Sequence, residues 1–379
     1  ANQVSKFTTA QVAVMTAANV TALSADQVAV LTTTQVGTLD TTQVKAITTT
    51  AVAAMTTAQV ASMSTTQVAA LTTGQVAVLT ANEVKSLTTS QVQALGSTQV
   101  NALTNANVTA MSTTQVAALT TDQVKGLTTS GVSALSTAQV QALSTAQVQV
   151  ITTANVAVMS TGQVAALTTD QVSALSGTQV AKLETADVAK LSTSAVAALS
   201  SAQTRSLTTD KVVALSTAQA AALSTTSAAA LTSAQVSALE TADLAKLSTD
   251  AVAALTTAAM RGLDSNQVAA ITTAQLAAVT TAQMASLTTA QVAALTTAQA
   301  SKLSTDQVAS LTTAQVAVLE TADLAKLSTD ALVSLSTAQL RALSTDQISG
   351  MTTAQTAALT SDQVGSLTTP QLAALLVGT

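Results

Sequence analysis

The sequence of 379 residues contains no cysteine, histidine, tryptophan or tyrosine, and it has one phenylalanine (Phe7) and one proline (Pro370). Without cysteine and histidine there is no disulfide framework, no thiolate nucleophile, no imidazole base and no soft-metal or haem ligation through these side chains. The chain therefore lacks the side chains on which most enzyme mechanisms depend. We therefore expect a protein that is not an enzyme, and we assign no catalytic, cofactor-binding or metal-ligating residue from the sequence.

Charge is also scarce. Charged residues make up 8% of the chain, against about 25% in an average soluble domain, and the net charge is −5. Such a chain has no electrostatic footprint for nucleic acid or for an anionic membrane surface. Ser, Thr or Gln interrupts the apolar residues every few positions, so no run approaches the roughly 18 residues of a membrane-spanning helix. We expect neither a nucleic-acid partner nor a membrane span.

The sequence consists instead of an eight-residue repeat. From Phe7 to Leu375 there are 46 steps of eight, and all 47 positions are apolar. A second apolar column, mostly valine, lies five residues after each of these positions, as Val12 does after Phe7. The consensus unit reads Leu-Thr/Ser-Thr-Ala-Gln-Val-Ala-Ala. The unbroken register predicts one continuous domain over residues 1–379, in which residues 376–379 depart from the repeat.

Each unit carries the signals of one short helix. A Ser or Thr after the leucine is a preferred N-cap, and a Gln three residues later completes a capping box, as in Thr312 and Gln315. The residues on either side, Leu311 and Val316, then occupy the two positions of a hydrophobic staple. Val316 and Leu319 are three residues apart and share a helix face. The repeat therefore predicts one short capped helix per eight residues.

Two other backbones fit less well. In one unbroken helix, eight residues at about 100° each leave a drift of about 80° per unit, so no face stays buried. In a strand, a spacing of five places Leu and Val on opposite faces, and eleven glycines cannot supply a turn in every unit. We predict an all-α fold, an α-solenoid of very short helices with the Leu and Val columns inside. The repeat alone leaves the number of helices per coil open.

A longer motif interrupts the consensus three times. Its general form is Leu-Glu-Thr-Ala-Asp-Val/Leu-Ala-Lys. Its two acids could form a hard-cation site or an acid pair. The favoured interpretation is an exposed ion pair between the Asp and the Lys three residues later, with the acids near a positive helix start. The acids are Glu184 with Asp187, Glu240 with Asp243, and Glu320 with Asp323.

Methionine and threonine columns also have two interpretations. Methionines that replace leucine could form a row of soft-metal ligands, but packing in the core is favoured. The first Ser or Thr of each pair is explained as a helix cap. The second Thr is not explained in this way, because a β-branched side chain lowers helix propensity. The pairs could also present a repeated hydroxyl surface. The methionines are Met15, Met55, Met63, Met111, Met159 and Met351.

The Leu-Thr-Thr-Ala-Gln-Val-Ala-Ala units resemble the octapeptide tracts of long secreted bacterial surface proteins of the adhesin-like type, over residues 1 to about 375. This resemblance implies an extracellular or cell-surface location and a structural or adhesive role. It offers no catalytic motif and no cofactor to carry over. We expect a structural protein that forms an extracellular filament, sheath or surface layer. The alternative is an adhesin spacer or an ice-binding module that presents rows of threonine.

Neither end of the sequence carries the polar, atypical repeat that usually caps a monomeric solenoid. Either the chain continues beyond this segment, or its ends stack on those of other copies. We expect the protein's main partner to be itself, joined head to tail or laterally, with other surface components as further partners.

Overall fold

The computed structural model describes residues 3–377, and side chains as far as Leu376. Within this range a 3-10 helix, Val4–Lys6, is followed by 46 α-helices, and none of these residues forms a strand. The all-α prediction is confirmed. Backbone packing divides the chain into two compact units, Ala1–Leu191 and Ser192–Thr379.

The helices of the first unit are α1 Thr9–Ala13, α2 Ala17–Thr21, α3 Ala25–Ala29, α4 Thr33–Gly37, α5 Thr41–Ala46, α6 Thr49–Val52, α7 Thr57–Ala61, α8 Thr65–Ala70, α9 Thr73–Ala77, α10 Ala81–Ser86, α11 Thr89–Ala94, α12 Ser97–Asn101, α13 Asn105–Ala110, α14 Thr113–Ala118, α15 Thr121–Lys125, α16 Thr129–Ala134, α17 Thr137–Ala142, α18 Thr145–Val150, α19 Thr153–Val156, α20 Thr161–Ala165, α21 Thr169–Ala174, α22 Gly177–Lys182 and α23 Thr185–Val188. Those of the second unit are α24 Thr193–Ala197, α25 Ser201–Ser206, α26 Thr209–Val213, α27 Thr217–Ala221, α28 Thr225–Ala230, α29 Ser233–Ala238, α30 Thr241–Leu244, α31 Thr249–Ala254, α32 Thr257–Arg261, α33 Ser265–Ala270, α34 Thr273–Ala278, α35 Thr281–Ser286, α36 Thr289–Ala293, α37 Thr297–Ala300, α38 Thr305–Ala309, α39 Thr313–Ala317, α40 Thr321–Leu324, α41 Thr329–Val333, α42 Thr337–Arg341, α43 Thr345–Ser349, α44 Thr353–Ala358, α45 Ser361–Ser366 and α46 Thr369–Val377.

The chain turns between helices through two extended residues. Between α10 and α11, Leu87 has φ −63° and ψ 140°, and the N-cap Thr88 has φ −72° and ψ 160°. The backbone N–H of Gln91 donates to Thr88 Oγ1 at 3.2 Å, and the backbone N–H of Thr88 donates to Gln91 Oε1 at 2.6 Å. This is the capping box that the sequence predicts. Since no described residue has a positive φ, the corners need no glycine, which explains how so few glycines suffice.

The two apolar columns form the core of each unit. Val292 is 0% exposed and Leu295 is 4% exposed, and the Leu295 amide donates to the Val292 carbonyl at 3.2 Å. The same burial recurs along both columns, so their predicted place inside is confirmed. The departures lie near both ends: Phe7 is 37% exposed and Leu23 is half-buried in the first unit, and Leu359 and Leu367 are half-buried in the second.

Packing between coils follows a fixed interval within each unit. Each helix packs against the helix three places further along, as α10 does against α13 and α43 against α46. Side-chain hydrogen bonds between coils join residues 28 to 31 positions apart, as from Gln75 to the carbonyls of Ile47 and Val44. These spans equal between three and four repeats. Each unit is therefore a helical solenoid whose coils hold a non-integral number of helices.

Two expectations, about the extent of the domain and about where the repeat ends, stay predictions. The structure describes each compact unit by itself, so one continuous domain over 1–379 is still inferred from the register alone. Of the residues expected to depart from the repeat, 376–379, Leu376 is exposed at the end of α46, and 378–379 lie outside the described residues.

Candidate functional site: a glutamine ladder between coils

Most glutamines of the repeat bind two coils at once, and Gln291 shows the arrangement. Its Oε1 accepts a hydrogen bond from the Thr288 amide at 2.8 Å, which completes the cap of its own helix. Its Nε2 donates to the carbonyl oxygens of Met260 at 2.8 Å and Leu263 at 2.7 Å, in the preceding coil. The side chain is 2% exposed. One buried amide therefore uses both its acceptor and its donors.

The acceptors of this amide are the carbonyls at a helix end. The last carbonyls of an α-helix lack the N–H donor four residues later and need other donors when they are buried. The Met260 carbonyl also accepts from the Leu263 backbone N–H at 3.2 Å, so the glutamine is its second donor. Met260 lies in the last turn of α32, and Leu263 follows that helix. The glutamine thus caps the start of one helix and the end of another. We call the series of these contacts the glutamine ladder.

Shorter side chains keep part of the ladder. Asn107 Nδ2 donates to the Leu79 carbonyl at 2.8 Å, and Asn155 Nδ2 donates to the Leu127 carbonyl at 2.9 Å. Ser227 Oγ donates to the Leu199 carbonyl at 3.0 Å. In all three the acceptor lies 28 residues earlier. Even a short side chain therefore makes the hydrogen bond to the leucine carbonyl.

The ladder is the functional feature that sequence reasoning missed. The pattern predicts the cap, but the carbonyl partners lie about one coil earlier in the chain. A signal was nevertheless present, because a capping box accepts Glu as well as Gln. In this column Gln predominates and Glu stands once, at Glu83. Glutamate supplies the acceptor for the cap but no donor for the preceding coil.

The acidic motif residues occupy this same column, and the favoured prediction for them is wrong. Asp187, Asp243 and Asp323 are at most 2% exposed, so they do not lie on the surface. The lysines three residues later, such as Lys326, are exposed. A surface ion pair does not form because the preceding coil covers the column that carries the aspartates.

The glutamate of the motif does not replace the threonine cap. Glu184, Glu240 and Glu320 stand at N-cap positions, but none makes a side-chain capping hydrogen bond, and each of the three helices that follow is four residues long. Burial, and next the negative charge of Glu320, raise the pKa of Asp323 to about 6. In the first of the three motifs, the Glu184 backbone N–H still donates to Asp187 Oδ2 at 2.9 Å. The motif therefore keeps the register of the repeat while it removes the hydroxyl cap and the ladder donor.

The methionine column is core, as predicted. Met55, Met63, Met111, Met159 and Met351 are buried at the leucine position, and Met15 is half-buried near the beginning of the chain. Among the described residues, no three acidic, histidine or cysteine side chains come together as a metal site would require.

The threonine pairs divide as the sequence suggests. The first, such as Thr288, caps its helix, and the second, such as Thr289, is exposed. Because a coil does not hold a whole number of repeats, threonines of one column do not stack directly from coil to coil. The exposed hydroxyls are therefore staggered within each unit.

Short capped helices, buried leucine and valine columns and an amide ladder define a helical solenoid built from tandem octapeptides. The chain belongs to the ALTTAQ repeat family, a name that the residues Ala294 to Gln299 spell in full. The family model matches residues 4–41, 36–73, 44–81, 73–105, 101–129, 130–161, 149–177, 180–217, 236–273, 268–305 and 316–353. No curated protein matches the chain significantly. None of the described helices combines the length and the apolar character that crossing a bilayer requires.

Proposed function

We propose that this chain is a non-enzymatic structural protein that builds an extracellular filament, sheath or surface layer by self-association. The observation that carries the proposal is the direction of the glutamine ladder. Every coil offers amide donors to the preceding coil and carbonyl acceptors to the following one, as Gln75 and the Ile47 carbonyl show. A joint of this kind can be repeated between molecules as well as within one.

Among the described residues, the side-chain nitrogens of Gln11, Asn19 and Gln27 have no carbonyl partner in another coil, although the side-chain oxygens of these residues accept hydrogen bonds in capping boxes. Gln11 and Asn19 are exposed, and Gln27 is half-buried. We call these three residues the donor face.

The carbonyls of Leu359 and Leu367 occupy the acceptor position of the ladder, and none of the described residues donates a side-chain hydrogen bond to them. We call this the acceptor face. Half-buried leucines accompany both faces, Leu23 at the first and Leu359 and Leu367 at the second. Joining the two faces of different copies would pair the amides and bury these apolar side chains.

The extracellular location rests on the resemblance of the octapeptide units to tracts of secreted surface proteins. That resemblance also supports the alternative of an adhesin spacer. The staggered threonines do not favour an ice-binding array, which needs a flat and regular face. The absence of histidine and cysteine from the sequence supports a role that needs no reactive side chain.

The test is the molar mass in solution of the full chain and of a variant, Gln11→Glu with Gln27→Glu. These changes keep the cap acceptor and remove the free donor. A matched control, Ala117→Glu with Ala165→Glu, adds the same charge at exposed helix positions. Light scattering after size exclusion should show a mass that rises with concentration for the wild type and the control, and a monomer for the donor-face variant.

Two results would contradict the proposal. A wild type that stays monomeric at every concentration would show that the donor face does not bind a second copy of the chain. A donor-face variant that associates like the wild type would show that association is lateral and does not use the ladder.

A further inference from the structure

Asp323 occupies a glutamine position of the ladder, but its ionised carboxylate has no N–H donor for the preceding coil. Its side chain is 1% exposed, and neither carboxylate oxygen has a hydrogen-bond partner among the described residues. Glu83 and Asp187, in the same column, each bury one oxygen in the same condition. A buried polar atom without a partner is costly, and a buried charge is costlier. These carboxyl groups therefore need a physical explanation.

The asparagines of the column show what this position can reach. Asn107 and Asn155 donate from Nδ2 to carbonyls 28 residues earlier, at 2.8 and 2.9 Å. Aspartic acid has the same shape as asparagine, and the residue 28 positions before Asp323 is Leu295. An ionised carboxylate only accepts hydrogen bonds, but a protonated carboxyl group carries one O–H donor. Protonation would therefore make Asp323 the equivalent of an asparagine.

We propose that Asp323 is an acid-dependent latch between coils: its carboxyl group takes up a proton from solvent and donates a hydrogen bond to the Leu295 carbonyl. Loss of that proton breaks this bond and leaves a buried negative charge facing a carbonyl oxygen. The latch is closed in acid and open in base. It requires no partner other than the proton.

The charged groups around Asp323 favour the neutral form. On its own repeat, Glu320 is three residues earlier and adds negative charge, and Lys326 is exposed. Helix α40 packs against α37 and α43. Helix α37 carries no titratable residue and is followed by the exposed Lys302, and α43 carries Asp346, which is exposed. Helix α36, which leads to Leu295, carries no charge.

The direction of the pH effect follows from these surroundings. Burial and the charge of Glu320 raise the pKa of Asp323 from 3.8 to about 6 in the folded chain. A group that binds its proton more tightly when folded stabilises the folded state as pH falls. The contribution is complete below the unfolded pKa and is lost as pH rises through about 6.

The experiment compares the full chain with Asp323→Asn, which is a permanently closed latch, in thermal unfolding from pH 4.5 to 8. At pH 8 the Asn variant should melt several degrees higher than the wild type, and the difference should shrink toward zero as pH falls through about 6. The matched control is Asp306→Asn, the same change at an exposed position, and it should show no such rise in this interval. Hydrogen exchange of the peptide amides in residues 289–300 gives a local readout. The protection factors of these amides, which correct for the pH dependence of intrinsic exchange, should rise in acid for the wild type alone.

A constant difference between wild type and Asp323→Asn across this pH range would overturn the latch. So would stabilisation of the wild type at pH 8 by calcium or sodium that Asp323→Asn lacks, because a bound cation would then bridge the carboxylate and the carbonyl. Equal protection factors at both pH values in residues 289–300 of the wild type would also contradict the proposal.

Discussion

At the scale of single residues, the glutamine position requires both a hydrogen-bond acceptor and a hydrogen-bond donor in one buried side chain. Gln291 contacts its own N-cap through oxygen and the preceding coil through nitrogen, while its side chain is buried. Sequence reasoning predicts the first contact because a capping box spans three residues. It could not predict the second, since the partner carbonyls become neighbours only when the coil closes.

The two functions of glutamine can be separated by substitution. Gln291→Glu keeps the cap acceptor but places a carboxylate against the carbonyls of Met260 and Leu263. We expect a loss of about 1–3 kcal/mol in the free energy of unfolding at neutral pH, because buried acceptors lose their donor. Gln291→Asn should lose less, since native asparagines keep the leucine bond. Urea unfolding measures both.

Equal stability of Gln291→Glu, Gln291→Asn and the wild type would mean that the ladder contributes nothing to cohesion. Loss of stability in both variants to the same extent would contradict a separate contribution of the Nε2 donor, because Gln291→Asn retains the hydrogen bond to the leucine carbonyl.

At the scale of the element, the helices are too short to exist alone. The helix α36 has five residues and α40 has four, whereas an isolated helix is marginal at about 12–15 residues. The sequence predicts where each helix begins because caps and staples are local. It misplaced Asp187, Asp243 and Asp323 because rules for isolated helices treat the first turn as exposed, and here another coil covers it.

Because the helices depend on neighbouring coils, we predict a large difference in stability between substitutions at two positions that lie two residues apart. Leu199 is 3% exposed, and Ala197, in α24, lies in an exposed column. Leu199→Asp should cost at least about 3 kcal/mol, because it removes core packing and buries an unpaired charge. Ala197→Asp should change the stability by about 0.5 kcal/mol or less. Urea unfolding followed by circular dichroism compares the two.

The exposed column offers its own control for this contrast. Lys45, Lys125, Arg205 and Arg341 occupy the same column as Ala197 and are exposed. Similar losses for Leu199→Asp and Ala197→Asp would mean that the leucine column is not the core, and the solenoid interpretation would fail.

At the scale of the whole molecule, membership of the ALTTAQ repeat family accounts for the uniform register over most of the chain. In solenoids, stability accumulates through contacts between successive coils, and exposed terminal coils invite further stacking. In the proposed assembly, the donor and acceptor faces would give stacking between copies a direction. Neither face could be predicted from composition alone, because the ladder contacts form only when coils pack.

Electron microscopy of the purified native chain over a range of concentrations tests self-association most directly. We expect filaments or sheets that lengthen with concentration, because every added copy presents the same donor and acceptor faces as the last one. Dispersed single molecules at every concentration, together with a constant molar mass, would contradict the account.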